Sequence, residues 1–467
     1  MKVMSRITTF LLISLVLFTS AFASSHSEVA CGDTITENTT LTADLVCPEG
    51  TDNALIIGAS NLTLDLGGHV ISGHLPGIGI FSMGQEGITI RNGTLEGFHP
   101  GIFFIQSNLV TMENLTIRNM DSSDPDDLVL GISILDSQDV IVRDSLFEFP
   151  SVAHKEAVEV YESYVDVRDI EVRGGGAGVN FSFAGECDPV NRPSNGTVTN
   201  SRFSNVYIAG IEIACSSYAW IENNVFTADP PVGIGIQADG WIAGDVTGMT
   251  IQNNYIYDTL LGIEFRGISD SDILNNYIFD NQIWGIAIRE SLGCLVPESG
   301  LECFYSTDNQ VDNNKTWGNG MDLYHYEYST GNTWTGNTCE TSEGAEIPPC
   351  SSLSAALAIN YTSGKPGSFF TLRGANFPSD STAIITINGY TLGTVPTDSS
   401  GDLIFLLDTN LADEGEYLVN ATVNPSASVT FWLDSNRFTR LQEGSGTVFE
   451  VPSGLVPHLV FLPLILR

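Results

Sequence analysis

Apolar residues recur along most of this chain in short alternating runs separated by Asn, Asp and Gly, in units that leave no room for a ten-residue helix. Residues 248–288 show the pattern most plainly. Ile251-Gln252-Asn253-Asn254-Tyr255-Ile256 returns as Ile273-Leu274-Asn275-Asn276-Tyr277-Ile278, and Gly262-Ile263-Glu264-Phe265 returns as Gly285-Ile286-Ala287-Ile288. A repeat of 22 to 23 residues built of short strands and tight turns predicts a solenoid whose units stack as a parallel β-helix.

The corner residue can be followed through Gly68, Asn92, Asn114, Asp144, Asp169, Asn200, Asn224, Asn254, Asn276, Asn314 and Asn337. Asn, Asp and Gly tolerate the left-handed backbone of a sharp corner, and stacked Asn amides can bond up the rod as a ladder. These residues therefore read as scaffold, and they count about 11 coils, or a rod roughly 50 Å long at strand spacing. A second anchor is a Gly/Ala-apolar pair at Gly101, Gly131, Ala157, Gly178, Gly210, Gly233, Gly262 and Gly285, each followed by Ile or Val. With those Ile and Val side chains inward, alternation places Phe103, Ser133, Glu159, Asn180, Glu212, Gly235, Glu264 and Ala287 outward on one face. The next outward column is then Ile105, Leu135, Tyr161, Ser182, Ala214, Gln237, Arg266 and Arg289. Longer gaps place insertions near 121–128, 187–194, 239–246 (or 229–232) and 291–306, of the kind that gather on one face of a solenoid.

Near residue 350 the repeat gives way to strands at roughly 10- to 15-residue spacing with turn signals, which predicts a small β-sandwich. The fold class is thus all-β: a right-handed single-stranded parallel β-helix over 24–350, a sandwich over 351–440, and a 441–467 tail with an apolar end. The tail reads equally as a sorting signal or as a strand packed on the sandwich. Residues 1–23, with Lys2 and Arg6 ahead of an apolar stretch and Ala21-Phe22-Ala23 at its end, read as a signal peptide. Its removal leaves no membrane span in the mature chain, which is expected to be a secreted or cell-surface monomer.

Loss of Lys2 and Arg6 takes the formal charge from −38 to −40, a surface that repels nucleic acid and anionic membranes. An acidic polysaccharide would require a local basic patch or a bridging cation such as calcium. Eight cysteines allow 105 pairings, of which the nearest-neighbour set is expected: Cys31–Cys47, Cys187–Cys215, Cys294–Cys303 and Cys339–Cys350. No Cys or His spacing suggests a metal site.

The Cys31/Cys47 pair followed by Leu64-Asp65-Leu66-Gly67-Gly68-His69-Val70-Ile71-Ser72-Gly73 resembles the entry to the β-helix proteins of the pectin-lyase-like superfamily. More narrowly, it is similar to secreted bacterial proteins with CASH-type repeats over residues 31–345. Asp413-Glu414-Gly415-Glu416-Tyr417 resembles the corner of immunoglobulin-like domains, where the Tyr hydroxyl pins the preceding turn. The first resemblance implies a polysaccharide or cell-surface glycan as partner. The motifs that resemblance to polygalacturonases, pectate lyases, alginate epimerases or copper-binding β-helices would require are missing, which favours a binder over an enzyme.

The candidate chemistry lies on the outward columns. Glu159 and Glu212, like Glu212 and Glu264, are two coils and so about 9–10 Å apart, near the upper end of the carboxyl separation used by inverting glycosidases. Glu159, Glu212, Glu264 and Arg266 are the catalytic candidates for a glycoside hydrolase or polysaccharide lyase, with Asn180, Tyr161, Trp241 and Arg289 as substrate-binding candidates. The competing reading of the same face is a non-catalytic structural or adhesive rod with a solvated polar surface.

Overall fold

The computed structural model describes residues 29–455 apart from 75, 121–127, 150–153, 182–193, 215–217, 241–245, 292–293, 295–302 and 351–353. The expected signal peptide, the apolar end of the tail, Trp241 and the Cys187–Cys215 pair lie outside the described residues. Coil after coil, three short strands wind round an apolar interior and build a right-handed parallel β-helix. One face is a 13-stranded parallel sheet that starts with Asp33–Ile35 and ends with Ser342–Glu343. The predicted corners belong to the coils between these terminal strands. Cys31–Cys47, Cys294–Cys303 and Cys339–Cys350 are bonded as nearest neighbours.

The interior explains the Gly-Ile anchors. Ile80, Ile102, Ile132, Val158, Val179, Ile211, Ile236, Ile263 and Ile286 stack in register and are fully buried. The glycine before each of them has no room for a side chain, and only before Val158 does a methyl, that of Ala157, take its place. A Cβ on Gly210 would come within 2.4 Å of the Phe226 ring and 2.8 Å of the Gly235 carbonyl.

The corner asparagines divide two jobs that the sequence reading gave to one residue. Asn92, Asn114, Asp144, Asp169 and Asn200 take the left-handed conformation themselves. In later coils the first residue of the Asn-Asn pair does so: Asn223, Asn253, Asn275 and Asn313. The second turns inward and forms the ladder, Asn224 Nδ2 donating to Asn254 Oδ1 at 3.1 Å, Asn254 to Asn276 at 3.0 Å, Asn276 to Asn314 at 2.9 Å and Asn314 to Asn337 at 3.0 Å. Buried amides in such a chain satisfy one another and the backbone, so each coil fixes the next.

The C-terminal unit is a sandwich of a four-stranded and a five-stranded sheet around Phe370, Phe405, Tyr417 and Phe431. It reaches past residue 440, because Thr447–Glu450 pairs with Leu403–Asp408. The sandwich lies against the flank of the β-helix. Val225, Tyr255, Tyr257, Phe279 and Trp317 from successive coils share its apolar cluster, with Tyr257, Phe279 and Trp317 stacked ring on ring at 5.0 and 4.5 Å. Buried charges pin the contact. Arg440 Nη1 donates to Glu171 Oε2 at 2.9 Å, Arg202 Nη2 to Glu443 Oε2 at 3.0 Å, and the two guanidinium groups hold the Tyr361 ring at 4.6 and 4.5 Å. Arg437 pairs with Asp144 and Asp169.

Candidate functional site

Parallel pairing in the 13-stranded sheet lines up side chains of equivalent position, so each outward column is read directly from the register. The first column runs Phe81, Phe103, Ser133, Glu159, Asn180, Glu212, Gln237, Glu264, Ala287, Tyr324. Gln237 stands where Gly235 was expected, and Asp239 rather than Gln237 pairs with Arg266 in the next column. The stretch Gly233-Ile234-Gly235-Ile236 offers two Gly-Ile pairs, and it is the second that continues the core, since Ile236 stacks on Ile211. A slip of two residues keeps the face and displaces the coil.

Two clusters stand on this face. In the first, Glu159 and Glu212 flank Asn180 in one column, as the spacing predicts. Ser133 Oγ donates to Glu159 Oε2 at 2.7 Å, and Asn180 Nδ2 donates to Oε1 of Glu156 at 2.9 Å. Glu156 is only 9% exposed, and burial, reinforced by the charges of Glu159 and Glu212, pushes its carboxyl up to about 8. Burial also raises Glu159 and Glu212 above the ordinary carboxylate range. Glu156 Oε2 and Asn180 Oδ1 are buried without a hydrogen-bond partner among the described residues. The outward columns drawn from the sequence left Glu156 out. It precedes Ala157, at the anchor position where the regular pairing with the neighbouring strands is interrupted. The available signal was two Glu three apart in Glu156-Ala157-Val158-Glu159.

The second cluster corrects an expectation. Glu264 is not a surface carboxylate, being 0% exposed. Arg266 Nη2 and Arg289 Nη1 each lie 3.0 Å from its two oxygens and fold over it. Gln237 Nε2 approaches at 3.4 Å, and Arg266 also lies 3.5 Å from Asp239. The Arg289 guanidinium sits 4.7 Å over the Trp284 ring, which stacks on Tyr324 at 5.2 Å. Glu264 therefore positions two arginines beside an aromatic platform, and these groups, not Glu264, meet solvent. Tyr161 is half-buried at the end of the Glu159 strand, opposite Leu135. His325 points into the core, where burial lowers its basicity. No three His, Cys, Asp or Glu among the described residues are grouped to hold a metal ion.

Comparison with known proteins bears on the scaffold. The family model described as "right handed beta helix region" matches residues 80–241 and 156–389. No curated protein sequence matches the chain. Among solved structures, the chain is similar to the A-module of the Azotobacter vinelandii mannuronan C-5 epimerase AlgE6, at 16% identity over 68% of this chain and 90% of that one, TM-score 0.49. It is also similar to the Streptococcus pneumoniae surface adhesin PfbA (14% identity, 64% and 86% covered, TM-score 0.44). A third likeness is to the Yersinia enterocolitica family 28 exopolygalacturonase (12% identity, 69% and 73% covered, TM-score 0.46).

Proposed function

The chain belongs to the right-handed β-helix family, and on that scaffold we propose that an extended polysaccharide lies along the long sheet from Glu156 to Arg289. The observation that carries this reading is the sharing of one face by both clusters. A carboxyl and amide group sits at one end, and a paired-arginine and aromatic platform at the other. Hydroxyls suit the first, while the faces of sugar rings suit Trp284 and Tyr324. Glu264 and Asp239 offset the charges of Arg266 and Arg289, which favours a neutral glycan over a polyuronate. The paired cysteines and the leader-like N-terminus support an extracellular or cell-surface setting. The sandwich is read as an immunoglobulin-like spacer or attachment module. In support, the Tyr417 hydroxyl donates to the Asp413 carbonyl at 2.8 Å.

Binding on a glycan array is expected to fall in Glu212→Ala and in Arg266→Ala. Unchanged binding in both variants removes the site assignment. A second, catalytic reading rests on Glu156, whose carboxyl keeps its proton at neutral pH close to two further carboxyls, the pairing that glycoside hydrolysis uses. Incubation with neutral polysaccharides would then release reducing ends in the wild type and not in Glu156→Gln. Silence across neutral and uronate panels leaves the protein a binder or a rod.

A further inference from the structure

Away from the long sheet, a groove of about 610 Å³ runs between the five-stranded sheet of the sandwich and the corners of the β-helix. One wall carries Trp432 and Leu418, 47% and 41% exposed although both are large and apolar. The other carries Asn200, Asn223 and Asn253, the left-handed corner residues of three successive coils. Their ladder-forming neighbours, Asn224 and Asn254, turn into the rod, and the corner amides remain at its surface. Coil stacking sets these amides roughly 4.8 Å apart. The side chains of Asn200 and Asn223 make no hydrogen bond among the described residues, while Asn253 Nδ2 reaches Glu222 at 3.3 Å. Tyr277 contributes the edge of its ring, since Tyr255 stacks on one face at 4.9 Å and the Lys315 ammonium sits 4.9 Å over the ring from the next coil. Arg437 also lines the groove, with its charge met by Asp169 and Asp144 and its buried Nε left without a partner.

We propose that this groove is a second glycan site, taking a short run of a neutral polysaccharide and holding it independently of the long sheet. Free primary amides donate and accept at once, which matches sugar hydroxyls, and the exposed indole of Trp432 matches the face of a ring. The paired state of Arg437 leaves no surplus positive charge for an acidic chain. A nucleic acid is disfavoured by the formal charge of −38. An extended peptide would need an open sheet edge. Ser426–Leu433 is paired along its length with Gly415–Thr422, while its other edge meets Ser363–Gly364 only at Trp432 and Leu433. The edge open to a peptide is thus the short stretch 426–431, and the corner amides and the Trp432 ring lie outside it.

The test is affinity electrophoresis of the full mature protein in gels containing a soluble β-glucan, xylan or galactomannan, with a polyuronate gel as comparison. Trp432→Ala is expected to weaken retention roughly tenfold, the loss of one well-placed aromatic contact. A double variant, Asn200→Gly with Asn223→Gly, keeps the left-handed corners, removes the amides and is expected to weaken retention by a similar factor. Unchanged thermal unfolding would separate both effects from misfolding. Leu411→Ala, at an exposed apolar residue of the sandwich that lines neither the groove nor the long sheet, serves as the control and is expected to be retained like the wild type, while Glu212→Ala removes only the long-sheet share of the retention. The proposal is overturned if no neutral glycan retards the protein, if retention occurs only on the polyuronate, or if both groove variants are retained like the wild type. Retention lost in Glu212→Ala alone places the glycan on the long sheet and not in this groove.

Discussion

Replacing Glu156 by Gln tests the physical basis of the carboxyl cluster. In the unfolded chain this group releases its proton near 4.5; in the folded chain burial holds the proton until about pH 8. Below 4.5 both states carry the proton and the group has no effect on the pH dependence of stability. Between 4.5 and 8 the folded protein keeps a proton that the unfolded chain gives up, so stability falls as pH rises, and above 8 the loss is complete. The interval of about 3.5 pH units corresponds to at most about 5 kcal/mol. Gln fills the same volume, keeps the oxygen that accepts from Asn180 and carries no proton to lose. Guanidinium unfolding of the mature protein should give nearly equal stabilities for variant and wild type at pH 4.5. By pH 8.5 the variant should be the more stable by about 2 kcal/mol or more. Since burial is the leading cause, Glu159→Gln should move the window only slightly. A difference between Glu156→Gln and wild type that stays constant from pH 4.5 to 8.5, or that changes in the opposite direction, refutes the reasoning.

Four further substitutions probe the scaffold. Arg440→Met takes one of two ion-pair partners from Glu171, which keeps Arg173 at 2.9 Å, and should cost about 1–3 kcal/mol, read out as faster proteolytic separation of the sandwich from the rod. Asn254→Ala removes its bonds to Ile221 O and Asn276 Oδ1 and the acceptor used by Asn224, and should destabilise by about 1–3 kcal/mol in thermal or denaturant unfolding. Asn253→Gly, which keeps the positive φ next door, should change stability little in the same assay. Gly210→Ala forces a methyl against Phe226 and the Gly235 carbonyl and should cost about 1–3 kcal/mol in the same measurement; a neutral result would mean the coils can separate locally.

The architecture was legible because a solenoid writes its contacts as a period: Asn-Asn corners and Gly-Ile anchors state both where the chain turns and which face is inward. Ambiguity entered where the period was locally doubled. At Gly233-Ile234-Gly235-Ile236 either pair fits alternation, and only stacking on Ile211 selects the second. Glu159, Asn180 and Glu212 came together as the spacing implied, yet the burial of Glu264 did not follow from alternation. It depends on two long guanidinium side chains bending back, which no strand pattern records. The position of the sandwich was also illegible. Tyr257, Phe279 and Trp317 occupy outward positions that sequence alone assigns to solvent, and they are buried only because a distant part of the chain returns to them.

That return has a consequence for how the protein can change length. A bare β-helix accepts or loses whole coils readily, since each coil meets its neighbours in the same way. Here a rigid sandwich grips seven successive coils, from Asp144 at one limit to Trp317 at the other, through contacts that are individually specific. Deleting or duplicating one coil inside that interval would shift everything beyond it by roughly 4.8 Å and take half the gripping residues out of reach. The sandwich thus acts as a caliper set to a fixed number of repeats. Length variation is expected before Asp144, where no hydrogen bond or ion pair joins the described residues of the rod to the sandwich, and not between the jaws.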